Sequence, residues 1–454
     1  MPDEDTAFVH GSAETRFTAH RPRATTASGS ALESNPGLPA GESETPTCDA
    51  AAAEHTRGPV ASIAAGVRDG TSDPVRVLER TLAAVAEDGR KPHGLGVVRV
   101  NRARAAATET ALRPDLDALP LAGVPIAVEP KAEPGGSVFD DVASQVLRAA
   151  GAVLVEVATV PEADDGIGVR TARRSVARGL FPVAYGDPGL DSYRTGMVGG
   201  VFAMTPGADL VSRYAGAARG HSVLSATVGD AAMVLSVLAG KANLAEVDPP
   251  GRLRIGLAVN PPSRFFRVDR RWTSAAYAAG AASAAAGHRV ERVDLPADDA
   301  LLPVLVRWTG LSSSEVEAAD EDAGSFRNFA ERLELRVRCR RVVDDFLRHA
   351  TDAPPGGVDR AEARLFELFE RYDVVIAPVS APVRAEIPLS HSTFRFTPEA
   401  PMWRAAGWPS ATVPMRDSRG AAFPIATHAQ LAGPPGSEST VLRLAAQLAA
   451  PVRS

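Results

Sequence analysis

Lysine is nearly missing from this chain. Of its 49 basic residues 46 are arginine, and lysine occurs only at Lys91, Lys131 and Lys241. The arginines are scattered, no basic run follows a helix face, and aromatic residues make up 5% of the chain, so no nucleic-acid surface is expected. Cysteine is scarcer still. Cys48 and Cys339 form neither a metal spacing nor a disulfide framework. The nine histidines are dispersed and no HExxH pairing occurs, so neither a metal nor a cofactor is expected. No apolar run is long enough to cross a bilayer, and the chain opens MPDEDTAF instead of with a basic-then-apolar leader. A cytoplasmic protein with no membrane partner is the expectation.

What is present is ample apolar material. The chain has 454 residues, 45% of them hydrophobic, a net charge of -6 and a mean hydropathy of -0.05. Such a chain buries a large core and exceeds the usual single domain in length. Residues 1–57 are rich in Ser, Thr, Pro, Glu and Gly without helical or strand periodicity, which predicts a disordered N-terminal extension. Residues 58–454 are expected to form the folded domain.

From Pro59 the pattern changes. Val60, Ile63, Ala64 and Val67 recur at helical spacing up to Gly70, and Asp73-Pro74 opens a second helix through Val77, Leu78, Leu82 and Val85. A strand over Gly96–Val100 and an alanine-rich helix over Arg102–Leu112 follow. Further on, Leu253–Val259, Arg271–Ala286 and Arg289–Leu295 read as strand, helix and strand. Residues 300–350 read as a mixed-charge helical insertion, Asp373–Ser380 as a buried strand, and the segment after Ser437 as a closing helix with that serine at its N-cap. The alternation predicts an α/β fold, a central mixed β-sheet covered on both faces by α-helices.

The stretch with most chemistry is Ser175–Pro206, SVARGLFPVAYGDPGLDSYRTGMVGGVFAMTP. An apolar run, Leu180–Tyr185, meets the turn cluster Gly186, Asp187, Pro188 and Gly189, and an exposed Ser192 follows before the chain returns to the core. A serine after a glycine-containing turn can lie beside free backbone N–H groups, the geometry of an oxyanion hole. The plainer reading is a turn serine that satisfies its own backbone.

Together with LAGVPIAV at Leu121–Val128, GAVLVEV at Gly151–Val157 and TVGDAAMVLSVLAG at Thr227–Gly240, this stretch resembles the amidase signature family of serine hydrolases. DVVIAPVS at Asp373–Ser380, WPSATVP at Trp408–Pro414 and the closing helix extend the resemblance from about Pro59 to Pro451. It implies the amidase signature fold, a Ser-Ser-Lys triad in place of Ser-His-Asp, an amide or acyl small molecule as ligand, and an assembly that in this family is often a homodimer. Laid without gaps on the family's nucleophile stretch, the nucleophile position falls on Ser192 and the arginine that follows it on Arg194.

The rest of the machinery departs from the family. The bridging serine falls on Gly168 and the lysine on Glu129. Gly189, Leu190 and Asp191 stand where the family has a bare Thr-Gly-Gly oxyanion loop. Nearby, the cluster RTARR at Arg170–Arg174 is a candidate for contacting an anionic ligand, with a solvated loop as the plainer reading. In a chain this poor in lysine, Lys131 is conspicuous two positions after Glu129, on the same face if the strand continues. Pro130 and Pro134 oppose a regular strand there, and Glu129 and Glu133 would keep the ammonium charged.

Two readings follow. In one, the triad has decayed and the cleft serves binding or altered chemistry on an amide or acyl small molecule, with Gly168, Gly189, Leu190, Asp191 and Arg194 lining it. In the other, Ser192 is the nucleophile of an amide hydrolase or acyl transferase, with Lys131 or Glu129 as its base.

Overall fold

Turn chemistry and apolar spacing set the first two helices. The structure is a computed structural model that describes residues 7–8, 58–89, 97–128, 142–158, 175–186, 200–207, 210, 222–260, 270–295, 357–379, 403, 407–415 and 427–449. Helix α1 (Pro59–Arg68) has proline in its first turn, where a missing N–H costs nothing. Helix α2 (Pro74–Asp88) begins at Asp73, whose carboxylate accepts from Val75 N at 2.8 Å and Arg76 N at 3.2 Å. Both bury the apolar stripes read from the sequence.

The next element departs from expectation. Among the described residues the strand is β2 (Val97–Val98), and Val100 already belongs to α3 (Val100–Ala111). Arg99 ends the strand: its N–H bonds Glu156 O at 3.2 Å, its side chain reaches the same residue's carboxylate at 3.3 Å, and the helix starts at once.

The sheet then builds from β3 (Pro125–Val128), α4 (Val142–Ala149), β4 (Val153–Ala158), β5 (Val183–Gly186), β6 (Phe202–Thr205) and β7 (Ser222–Ser225). Helix α5 (Val228–Ala239) follows, with Thr227 accepting from Asp230 N at its start and Gly240 in the left-handed conformation (φ 62°) at its end. The second half contributes β8 (Arg254–Leu257), α6 (Arg270–Ala285), β9 (Arg289–Arg292), α7 (Gly357–Arg371), β10 (Val374–Pro378), β11 (Ser410–Met415), β12 (Thr427–Ala432) and α8 (Glu438–Leu448). Ser437 precedes α8 as expected but makes no side-chain cap; its hydroxyl donates to Pro434 O at 2.7 Å.

Among the described residues twelve strands form one mixed sheet in the order β1-β2-β4-β3-β5-β7-β6-β11-β12-β10-β8-β9, where β1 is Ala7–Phe8. Strands β4, β3 and β5 run parallel to one another, as do β10, β8 and β9, while the strands between them alternate in direction. Residues 7 and 8 pair with β2; the rest of the N-terminal extension and the 300–350 insertion lie outside the described residues.

The two faces of the sheet are both covered. On one, Ile126, Val128, Tyr185, Met204, Val413 and Leu431 pack with side chains of α1, α4, α5, α6 and α8. On the other, Ala127, Ala184 and Leu224 meet α2 and α3, and Val375, Ala377 and Ala432 meet α7 and the stacked Trp403 and Trp408, whose ring centroids lie 6.4 Å apart. The α/β class and the layered architecture are therefore as the sequence implied.

Candidate functional site

The parallel trio β4-β3-β5 decides where a site can form. In such a sheet the crevice outside the carboxyl ends of the strands is the usual place for a ligand. Val128 at the end of β3 lies in register with Tyr185 on β5 and with Glu156 on β4, so all three strands leave the sheet along one edge. Glu129 and Lys131 follow β3 from that edge. Gly168 lies in the connection after β4, and Gly189, Leu190, Asp191, Ser192 and Arg194 lie in the connection after β5. All eight are outside the described residues, as is the arginine cluster at 170–174.

Register then identifies a row of polar groups that sequence reasoning missed. Gly186 pairs with Ser222, the pairing of Ala203 with Thr412 puts Thr205 opposite Ser410, and Ser410 pairs with Ala432. Below them, on the same face, Leu224 pairs with Ala203, Ala203 with Thr412, and Thr412 with Gln430. One face of β7, β6, β11 and β12 thus carries Ser222, Thr205, Ser410, Thr412, His428 and Gln430, every one of them buried. The opposite face of the same strands carries Val223, Met204, Ala411, Val413, Ala429 and Leu431, all in the apolar core.

A sheet face buried against helices is normally apolar, because an unmatched polar group loses its bonds to water. Ser222, Thr205, Ser410 and His428 on this face have partners, and Thr412 and the Gln430 carboxamide are without hydrogen bonds among the described residues. The polar row lies on the face that Ala127 shares, which is also the face position 129 would occupy were β3 one residue longer. The signal for β12 was present as the period-two alternation of His428 and Gln430 with Ala429 and Leu431, but it is short and its polar members argue against burial.

Two of the buried acids lie elsewhere in the fold, away from the polar face. Glu156 is ion-paired with Arg99 and, at 3.9 Å, with Arg102, which accounts for a carboxylate at the carboxyl end of β4. Asp230, fully buried at the start of α5, is pushed up to about 6 by burial, against the opposing bonds from Val60 N at 2.9 Å and Thr227 Oγ1 at 2.9 Å. Its role is structural: its carboxylate takes the orphan N–H of α1, whose own N-cap, Gly58, has no side chain to offer. A groove of about 200 Å³ lined by Glu109, Arg113 and Arg148 between α3 and α4 also touches Ala152, just before β4, and so sits at the sheet edge opposite the strand exits. Arg113 there donates to the last carbonyls of α4 and pairs with Asp115, which makes it a helix-end clamp.

No helix among the described residues is long and apolar enough to cross a membrane. No family model matches the chain, and no curated protein matches it by sequence. Solved structures do match. A 6-aminohexanoate cyclic dimer hydrolase complexed with substrate is similar with a TM-score of 0.59 at 18% identity, over 87% of this chain and 96% of its own. A bacterial aryl acylamidase of the amidase signature enzymes gives 0.60 at 15% identity, over 84% and 94%. A peptide amidase in complex with the competitive inhibitor chymostatin gives 0.56 at 20% identity, over 86% and 96%. The fold of this chain is that of the amidase signature enzymes.

Proposed function

We propose that this chain is a divergent amidase signature protein whose cleft, at the carboxyl ends of β3, β4 and β5, holds an amide- or acyl-bearing small molecule, and that it has lost the Ser-Ser-Lys route to amide hydrolysis. The observation that carries this reading is the residue that follows β3. The strand ends at Val128 beside Tyr185 of β5, and the next residue, where the resemblance calls for the lysine base, is Glu129. Gly168 stands in turn where the bridging serine belongs. A serine hydroxyl attacks an amide only if its proton has somewhere to go, and a carboxylate of ordinary acidity is a weak acceptor for it.

A second reading is favoured by the isolated Lys131. Ser192 would then attack the amide carbonyl, with Lys131 or Glu129 taking the hydroxyl proton and returning it to the leaving amine, as an amide hydrolase or acyl transferase. The experiment is labelling of the purified chain with an activated fluorophosphonate, beside Ser192→Ala. Equal absence of label in both is the expected result; a label on the wild type that Ser192→Ala abolishes would establish the second reading. A cytoplasmic, metal- and cofactor-independent protein with no nucleic-acid or membrane partner, able to form a homodimer, accompanies either version.

A further inference from the structure

The polar face of β11 and β12 contains groups whose hydrogen bonds are unmade. Thr412 Oγ1 and both Nε2 and Oε1 of Gln430 have no partner among the described residues, and neither does Nε1 of the fully buried Trp403. Native proteins rarely leave such groups unmatched, and a whole carboxamide without a bond is exceptional. Thr412 and Gln430 are direct register partners, so their Cβ atoms lie about 4.5–5.5 Å apart on one face. The residues flanking them in the same row are Ala203 on β6 and Ala377 on β10, and Ser410 and Ala432 stand in the row above. Pro414 and His428 stand in the row below, so the short neighbours lie on one side of the pair.

We propose that Gln430 and Thr412 form the floor of a subsite for a ligand carboxamide. The inference rests on the reading above that the protein holds an amide-bearing small molecule, and it places a group that recognises the amide on β11 and β12, the third and fourth strands along the sheet from β5. Gln430 offers donors at Nε2 and an acceptor at Oε1 on one planar group. Satisfying both at once takes a ligand with C=O and N–H side by side, which a carboxamide has. A carboxylate brings acceptors only, and so does a ketone. The Thr412 hydroxyl pairs with the remaining amide hydrogen or carbonyl lone pair.

The test is a ligand-observed NMR titration of the full chain with benzamide, acetophenone and benzoate, repeated on Gln430→Leu and Thr412→Val. Benzamide is expected to bind the wild type at least about tenfold more tightly than either isostere, and to weaken by about tenfold in Gln430→Leu. Without ligand, Gln430→Leu is expected to raise the melting temperature, because it removes a carboxamide that nothing in the free protein satisfies. Benzamide binding that is equal in the wild type and both variants would overturn the subsite while leaving the amide-binding reading intact. No benzamide binding to the wild type would overturn both. A lowered melting temperature in Gln430→Leu with unchanged benzamide affinity would assign the pair to an internal water instead.

Discussion

Asp230 shows how one side chain can be read as ordinary in the sequence and be decisive in the fold. In the sequence it is an acid near the start of an apolar helix, where carboxylates are common. In the structure it is fully buried and bridges 170 positions of chain, accepting from Val60 N while Thr227 Oγ1 donates to it. Burial raises it from 3.8 to about 6, so the folded state holds its proton more tightly than the unfolded state does. The stability this confers is full below about pH 4 and is lost as pH rises through 6. Asp230→Asn keeps an acceptor for Val60 without the charge. Its stability relative to the wild type is expected to rise by up to about 3 kcal/mol between pH 4 and pH 8, following 1.36 kcal/mol per pKa unit. Urea denaturation of the two proteins across that range checks it; a pH-independent difference would mean that Asp230 is not the titrating group. Nothing in the sequence near Asp230 names Val60 as its partner, because burial is set by elements far apart in the chain.

At the scale of elements, the helices were legible and the short central strands were not. Helices α1, α2 and α5 carry their own start and stop signals in Pro59, Asp73-Pro74, Thr227 and Gly240, all of which act locally. Strands β7 and β12 have no such signals. Their four and six residues owe their conformation to β5, β6, β10 and β11 on either side, and polar residues such as Ser222, His428 and Gln430 mask their burial. Ser437 illustrates the reverse error: the right residue type at a helix start that bonds elsewhere, while Glu438 beside it accepts from Gly207 N at 3.1 Å. The join between α1 and α5 gives an element-level prediction. A Cβ at Gly58 would collide with the Asp230 carboxylate, although the backbone there (φ -80°, ψ 177°) accepts any residue. Gly58→Ala is expected to cost about 1–3 kcal/mol, and most of that cost should vanish in an Asp230→Ala background. Additive losses in the double-mutant cycle, read by denaturant midpoint, would place the strain elsewhere.

For the whole molecule, the fold is shared and the proposed change is in the chemistry. The chain matches amidase signature structures over most of their length at 15–20% identity, and on the proposed reading Glu129 and Gly168 stand where the triad's lysine and bridging serine would be. Rebuilding the triad tests whether the cleft is otherwise competent. Gly168→Ser with Glu129→Lys alone is expected to leave anilide hydrolysis at background, because Leu190 and Asp191 stand where the resemblance has a bare Gly-Gly. Adding Leu190→Gly and Asp191→Gly is expected to raise it by about a hundredfold or more, the scale of a restored oxyanion donor. Turnover from the first pair alone would show that the 189–191 turn is not the barrier, and no turnover from all four would show that the cleft itself has changed. The sequence by itself determined the layered α/β class and the capped helices, because helix periodicity and turn chemistry are properties of nearby positions, and it carries the residues at 129 and 168 on which the proposed loss of the triad rests. Only the tertiary structure decided that β11 lies between β6 and β12, with Thr412 and Gln430 on one buried face. Strand register and burial come from pairing between segments hundreds of residues apart, and that information is not carried by any one stretch of chain.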